Sequence, residues 1–283
     1  LSIDDIYDYS KFLDEIYDCC EINNIALEAI SSESGRGQFE LCLKHTGDVL
    51  KLADGLIFLK NIIRFISKKN GFSATFMAKP FPDRPGNGLH THFSLLDEDN
   101  NNVFDNSTLN GSGVMLSSVG GLLAHMRQST LIFAPHLNSF RRLSPNQHAP
   151  INLSWGYENR TAAIRIPGGK QSNRRIEHRV AGADTNIYLV LAAILGAAFT
   201  GLKNCTEAPQ PVSGDCSDNY IEKESALPAT WFEALSYFED GDLIGGTINS
   251  VIHDMMIRTK KQELLTFTRD ISAFEYNSYA ETV

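Results

Sequence analysis

Short segments in which apolar and charged residues alternate constrain the fold of this chain more than any other feature of its sequence. In residues 88–94, His90, His92 and Ser94 are spaced two apart, with apolar residues or threonine between them. Successive side chains of a strand point to opposite faces, so these three polar side chains would share one face. The pattern predicts half-buried strands of the antiparallel kind, with one face packed and one open.

Similar alternation predicts strands over residues 26–30, 38–43, 74–79, 89–95, 151–155, 162–166 and 175–180. Helical periodicity predicts helices over residues 3–22, 49–69, 113–127, 186–202 and 230–239, with a C-terminal pair from residue 247 onward. The mixed order of helices and strands favours an α+β fold over a doubly wound parallel sheet. We expect one large domain over residues 1–283, with a surface connection at 206–218 and a helical C-terminal part from about residue 206.

Composition excludes several classes of function. The net charge of −9 argues against a nucleic-acid-binding surface. The longest apolar run, residues 187–199, is too short to span a bilayer. The five cysteines contain no Cys-x-x-Cys pair and fit a reducing compartment. We therefore predict a cytoplasmic protein without nucleic-acid or membrane partners.

The open strand face carries more charge than a merely solvated surface needs. Carboxylates with a single imidazole suit hard cations such as Mg²⁺ or Mn²⁺, and the candidate ligands are Glu33, Glu40, His90 and Glu177. Arginine binds phosphate and carboxylate through its planar fork, and the candidates are Arg142, Arg160, Arg165, Arg175 and Arg179. Divalent metals combined with arginines indicate phosphoryl transfer. The sequence has no Gly-x-x-x-x-Gly-Lys-Ser/Thr loop, so side chains would have to hold the phosphates.

Five ordered motifs resemble the catalytic domain of the glutamine synthetase family, class I type. They are residues 33–40 (ESGRGQFE), 86–95 (GNGLHTHFSL), 138–145 (NSFRRLSP), 158–167 (ENRTAAIRIP) and 174–179 (RRIEHR), with weaker similarity through Glu275 and Tyr279. The resemblance implies a curved antiparallel sheet backed by helices, as in the glutamine synthetase and guanido kinase folds. It also implies two or more Mg²⁺ or Mn²⁺ ions, ATP as co-substrate and a homo-oligomeric ring for the full-length protein.

The resemblance assigns roles to individual residues. Glu33 and Glu40 would hold one metal, and His90 and Glu177 the other. His92, Ser94 and Arg175 would contact the nucleotide. Glutamate would meet Gly86 through the backbone, Arg142 at its α-carboxylate and Arg179 at its side-chain carboxylate. Arg160 and Arg165 would bind the transferring phosphates, which places Arg160 and Arg179 among the catalytic candidates.

The same resemblance implies that a small N-terminal β-grasp domain and a Glu-x-Glu strand, which adds one carboxylate to each metal site, lie upstream of Leu1. Family active sites form between the N-terminal domain of one subunit and the catalytic domain of the next. We therefore expect this chain to be a fragment that is inactive or nearly so by itself, with weakened metal sites.

A second departure lies in the flap after Arg142. Where glutamine synthetases have a glutamate that helps to bind and deprotonate ammonium, this sequence has His148, and Pro85 replaces a family asparagine. A neutral imidazole offers no fixed negative charge to a small cation, although it can act as a base. Flap replacements of this kind, and the run Ser154-Trp155-Gly156, resemble the γ-glutamylpolyamine synthetase branch.

The leading hypothesis is therefore an ATP-dependent ligase that joins the γ-carboxylate of glutamate to an amine through γ-glutamyl phosphate. The runner-up is glutamine synthetase proper, which uses ammonia. A third hypothesis, from another class, is a non-catalytic structural or regulatory family member. A guanidino-phosphagen kinase would need a guanidine site and a cysteine loop that the sequence does not show.

Overall fold

A computed structural model describes residues 3–108, 110–145, 147–216 and 225–283. The helices in these ranges are α1 (Ile3–Asp8), α2 (Ser10–Ile22), α3 (Val49–Lys69), α4 (Gly113–Phe133), α5 (Leu137–Arg142), α6 (Ile187–Lys203), α7 (Trp231–Glu239), α8 (Asp242–Thr247), α9 (Ser250–Arg269) and α10 (Ala273–Tyr279). The strands are β1 (Leu27–Ser32), β2 (Phe39–Leu43), β3 (Thr91–Phe93), β4 (Trp155–Tyr157), β5 (Ile164–Ile166) and β6 (Ile176–His178). This mixture of helices and small sheets confirms the α+β prediction.

The strands form two sheets. Strands β1 and β2 make an antiparallel hairpin, and the other four lie in the order β3-β6-β5-β4. The pairs β3/β6 and β5/β6 are antiparallel, as expected, but β4/β5 is parallel, so the expected antiparallel sheet is wrong at that one pair. The reason is the turn at residues 158–163, which begins at Glu158 with a φ of 52° and returns the chain to the start of β4 before β5 begins.

The predicted strand at residues 74–79 is wrong. Its side chains alternate in burial, but its backbone groups bond to a loop and a side chain instead of a neighbouring strand. The carbonyl of Ala78 accepts from Asn87 N–H at 2.8 Å, and both backbone groups of Lys79 bond to the side-chain amide of Asn138 at 2.9 Å. The strand predicted at 151–155 lies instead at β4, and only a bridge between Asn152 and Ala226 remains of its first half.

Local signals explain where the long helices begin and end. The Asp48 side chain accepts from Lys51 N–H at the start of α3, and the helix stops at Asn70, as predicted. The side chain of Ser112 caps α4 in the same way, and α4 continues to Phe133, past the expected end. The predicted first helix divides at Tyr9 into α1 and α2. Helix α5 is a further element that the periodicity did not predict, because six residues are too few to show it.

Apolar side chains gather into two clusters. The larger one joins the apolar face of the four-stranded sheet, including Ile164 and Ile176, to α4, α6 and α7. Helices α4 and α6 approach each other so closely that a Cβ on Gly201 would lie 2.2 Å from the carbonyl oxygen of Ser117. The smaller cluster joins α2 and α3 to the β1/β2 hairpin, and Leu56 of α3 packs against both clusters. No helix in the described ranges is long and apolar enough to cross a membrane.

Candidate active site

The face of the four-stranded sheet that points away from the large apolar cluster carries a row of charged side chains. Strand register places His92 directly opposite Glu177, and Glu177 directly opposite Arg165. Directly paired residues lie on the same face of a sheet, so three strands distant in sequence contribute to one row. The alternation read from the sequence therefore placed these side chains on the correct face.

Glu177 is the centre of this row. Its side chain is 3 % exposed, and its two oxygens accept from Arg165 Nη1 at 2.8 Å and from Arg179 Nη1. His90 Nδ1 lies 3.5 Å from the same carboxylate. A carboxylate has two oxygens with about four lone-pair positions, so these contacts leave capacity for a further partner.

The hairpin adds two more carboxylates. Glu33 follows β1 and Glu40 lies in β2, opposite Ser31. Loss of hydration, and then the hydrogen bond and charge of Glu33, raise the pKa of Glu40, and Glu177 adds to this effect. Carboxylates that repel one another in this way are the arrangement that a divalent cation stabilises.

The two histidines have lowered pKa values. Loss of hydration, followed by the positive charges of Arg179 and Arg142, lowers the pKa of His90 well below its usual value. Loss of hydration also lowers the pKa of His92, against the charge of Glu177, and His92 Nδ1 accepts from Arg175 Nε at 3.2 Å. Both shifts favour the neutral imidazole, which is the form that binds metals.

Arg142, the last residue of α5, lies in the floor of the site. It is 4 % exposed and donates to the carbonyls of Val180 at 2.7 Å and Arg179 at 3.3 Å. Burial lowers the pKa of Arg142 to about 10, against the opposing charge of Asp184. A Cβ on Gly86 would lie 2.5 Å from the carbonyl of Ala78 and 3.0 Å from Arg142 Cγ, so only glycine allows this approach.

The remaining predicted residues are exposed and lie outside the strands that carry the charged row. Ser94 is exposed just past β3, and Arg160 is exposed in the turn between β4 and β5. His148 is exposed in the loop between α5 and β4, with a left-handed φ of 57°. The structure thus gathers His90, His92, Arg165, Arg175, Glu177 and Arg179 on one sheet face, and places His148 on a separate loop.

The donor sets fit hard divalent cations as two pairs. Within the ranges that the structure describes, no three His, Cys, Asp or Glu side chains converge closely enough to hold a metal by themselves. The pairs are Glu33 with Glu40, and His90 with Glu177. Their oxygen and neutral imidazole donors suit Mg²⁺ or Mn²⁺, and each pair would need further ligands from substrate, water or another part of the protein.

Several residues that the sequence did not single out support the site. Gln38 Nε2 donates to the carbonyl of Gly86 at 3.0 Å and to Asn87 Oδ1 at 2.8 Å, which joins the hairpin to the glycine loop. Glu158 accepts from Arg165 Nη2 at 3.3 Å and from the backbone of Gly168. Asp184 accepts from Ser139 Oγ at 2.6 Å. Gln38 and Glu158 lie within two of the five motifs, residues 33–40 and 158–167. This position in a motif is the sequence signal that could have identified them.

Comparison with known proteins finds one family over nearly the whole chain. The model of the glutamine synthetase catalytic domain matches residues 1–279. The gamma-glutamylputrescine synthetase PuuA of Escherichia coli (strain K12) is 34% identical over 97% of this chain and 57% of its own length. The glutamate–isopropylamine ligase of Pseudomonas sp is 39% identical over 77% of this chain and 48% of its own length.

A solved structure of a GmaS/ADP complex superimposes with a TM-score of 0.90 and 26% identity, covering 99% of this chain and 66% of the other. The chain therefore spans about half to two thirds of the length of these relatives.

Proposed function

Because the chain belongs to the glutamine synthetase family through its catalytic domain, we propose that it supplies most of the active site of an ATP-dependent ligase. The reaction joins the γ-carboxylate of glutamate to an amine through a γ-glutamyl phosphate intermediate. The observation that carries the proposal is the row of Glu177, Arg165 and His92 on one sheet face, beside Arg179 and the hairpin carboxylates. Arginines and carboxylates at one place suit phosphoryl transfer, which depends mainly on positioning and charge neutralisation.

The arginines divide the work between the two substrates. Arg142 has guanidinium N–H groups beyond the two that bond to carbonyls, and these would bind the α-carboxylate of glutamate. Arg179 would orient the side-chain carboxylate that takes the phosphoryl group.

Arg160 and Arg165 would bind the phosphates of ATP, with Glu177 and Glu158 fixing the guanidinium plane of Arg165. His92, Ser94 and Arg175 would contact the nucleotide, and the similarity of the fold to a solved complex with ADP supports the presence of a nucleotide site.

The metal pairs fit this chemistry. Cations at Glu33 with Glu40, and at His90 with Glu177, would neutralise charge on the phosphates when bound. The chain's own part is to hold the carboxylates together near Glu177 and to keep His90 neutral. Arg165 and Arg179 both donate to Glu177, so their guanidinium groups are held beside the proposed metal pair of His90 and Glu177.

The flap residue His148 favours an amine over ammonia as the acceptor. Its exposed imidazole can take a proton from the attacking amine nitrogen, but it offers no fixed negative charge to bind ammonium. The names of two relatives, which specify putrescine and isopropylamine, point to the same class of acceptor. Glutamine synthetase proper remains the second candidate, because the matching family model carries that name.

The test uses the full-length protein with glutamate, Mg-ATP and putrescine or isopropylamine. We expect ADP release that needs both glutamate and the amine, and a γ-glutamyl amide identified by mass spectrometry. Arg179→Lys should lower kcat by at least about tenfold, because a point charge does not replace the planar fork. Full-length protein that binds Mn²⁺ and an ATP analogue but never forms an amide would contradict the ligase proposal.

If the full-length protein binds neither Mn²⁺ nor an ATP analogue, the non-catalytic alternative gains support. We also propose, from the resemblance, that the full-length protein assembles as a homo-oligomeric ring and, from its cysteine usage, that it works in the cytoplasm. Its mass in solution, measured by light scattering, tests the ring directly.

A further inference from the structure

Lys79 is a buried lysine between the two loops that border the substrate side of the site. It is 7 % exposed, and it follows Ala78, which is fully buried. Its backbone is fixed independently of its side chain, because its N–H and carbonyl both bond to the amide of Asn138 in α5. The side chain therefore extends from an anchored position, and its ammonium group can hold two loop segments in place relative to α5.

The ammonium group of Lys79 contacts both loops at once. It donates to the backbone carbonyl of Arg84 and to the side-chain oxygen Oε1 of Gln147. Both acceptors are neutral, so carbonyl dipoles replace the water that burial removes from the charge. A hydrogen bond from a charged donor contributes more than a neutral one, and loss of the donor leaves the acceptors with weaker partners.

Each acceptor is next to a residue proposed to meet substrate. Arg84 lies two residues before Gly86, whose carbonyl accepts from Gln38 and at which an added Cβ would lie 3.0 Å from Arg142 Cγ. Gln147 directly precedes His148 in the flap, where the chain adopts a left-handed backbone conformation at His148. Lys79 therefore joins the loop of residues 79–88, which contains Gly86, to the flap of residues 147–150, which contains His148.

We propose that Lys79 is a positioning residue that holds the flap of residues 147–150 against the loop of residues 79–88. It sets the distance between the bound glutamate and the base at His148, and it contacts neither. The inference rests on the proposed function for its kinetic consequence, but its structural part stands without it. Arg84 and Gln147 move together when Lys79 is present and separately when it is lost.

Three variants of the full-length protein test this. Lys79→Met keeps the length of the side chain and removes the donor, Gln147→Met removes only the flap acceptor, and Lys79→Arg keeps a donor in place. Lys261→Met is the matched control, because it removes an exposed lysine of α9 that pairs with Glu239 of α7. Two measurements are made: hydrogen exchange of backbone amides in residues 79–88 and 147–150, and steady-state kinetics with glutamate and the amine varied in turn.

We expect Gln147→Met to speed exchange in 147–150 alone and to raise the KM for the amine by about tenfold, the loss expected for one charged hydrogen bond. The KM for glutamate should stay within about twofold of wild type in that variant. Lys79→Met should speed exchange in both loops and raise both KM values, and adding Gln147→Met should cause no further change. Lys79→Arg should keep exchange and both KM values close to those of wild type, because it retains a donor. Lys261→Met should match wild type.

Unchanged exchange at 147–150 in both Lys79→Met and Gln147→Met would overturn the inference. Additive effects of Lys79→Met and Gln147→Met in the double variant would also overturn it, because both substitutions remove the same contact. If wild-type protein forms no γ-glutamyl amide, the proposed function fails, and the exchange measurement still decides whether Lys79 joins the two loops.

Discussion

At the scale of single residues, the site depends on which side chains share a face and which meet across loops. Residue spacing correctly predicted which side chains share a face, because the two-residue period of a strand does not depend on the partner strands. Spacing could not predict which side chains meet across loops. The contacts of Lys79 with Gln147, and of Gln38 with Gly86, join positions about fifty or more residues apart, and no local pattern records them.

His148 is the residue on which acceptor choice most depends. We predict that His148→Glu raises kcat/KM for ammonium relative to putrescine by about tenfold or more, since a carboxylate adds a charge-assisted contact to a small cation. His148→Gln, which is neutral and of similar size, is the control and should not favour ammonium. The measurement is the ratio of the two kcat/KM values for each variant, and an unchanged ratio in His148→Glu would show that His148 does not select the acceptor.

Gly86 gives a second prediction at this scale. Gly86→Ala places a Cβ 2.5 Å from the carbonyl of Ala78, so the loop and Arg142 must shift. We expect the KM for glutamate to rise by about tenfold to a hundredfold and the unfolding free energy to fall by about 1–3 kcal/mol. Gly47→Ala is the control, because nothing lies within 4 Å of its Cβ position. Normal glutamate kinetics in Gly86→Ala would contradict the role of this close approach.

At the scale of elements, capping residues explain why the bounds of α3 could be predicted. The strand predicted at residues 74–79 does not form because its backbone groups bond to a loop and a side chain and not to a neighbouring strand. A strand needs a partner, and alternation in one segment does not show whether one exists. Helix α5 was missed for a related reason. Its start is fixed by Ser139, whose hydroxyl accepts from His136 N–H at 3.0 Å and donates to Asp184, and not by any apolar period.

Helix α9 contacts the first turn of α5 through a small charged cluster. Glu263 lies 3.3 Å from His136 Nδ1 and accepts from Lys260 at 2.7 Å, and Lys260 lies over the ring of Trp231 in α7. Partial burial acts to raise the pKa of Glu263, but Lys260 and His136 together hold it below its usual 4.5. A carboxyl group whose pKa is lowered by folding stabilises the protein above its unfolded pKa and loses this effect as pH falls through the folded value.

We therefore predict that Glu263→Gln lowers the unfolding free energy at pH 7 by about 0.5–1 kcal/mol, the range for partly exposed ion pairs. The difference from wild type should shrink as pH falls below 4.5, where the wild-type carboxyl also becomes protonated. Urea unfolding at several pH values measures this, with Glu281→Gln, in the exposed C-terminal turn, as the control. A difference that is the same at pH 7 and at pH 4 would show that the charge of Glu263 is not responsible.

At the scale of the whole molecule, the site combines elements that pack on two different apolar clusters. The hairpin with Glu33 and Glu40 belongs to the smaller cluster, and the row around Glu177 lies on the sheet of the larger one. Sequence patterns could not predict how the two clusters are placed relative to each other through Leu56 and the contacts of Gln38. They could not predict the order of the strands either, because alternation determines which face a side chain is on but not which strand lies beside it.

We expect this active site to join glutamate to an amine in preference to ammonia. A competition experiment decides this: the full-length protein receives glutamate and Mg-ATP with both putrescine and ammonium, and γ-glutamylputrescine and glutamine are quantified by mass spectrometry. We predict that γ-glutamylputrescine dominates at equal concentrations of the two acceptors. A product that is mainly glutamine would contradict this claim and would identify the protein as a glutamine synthetase in the narrow sense.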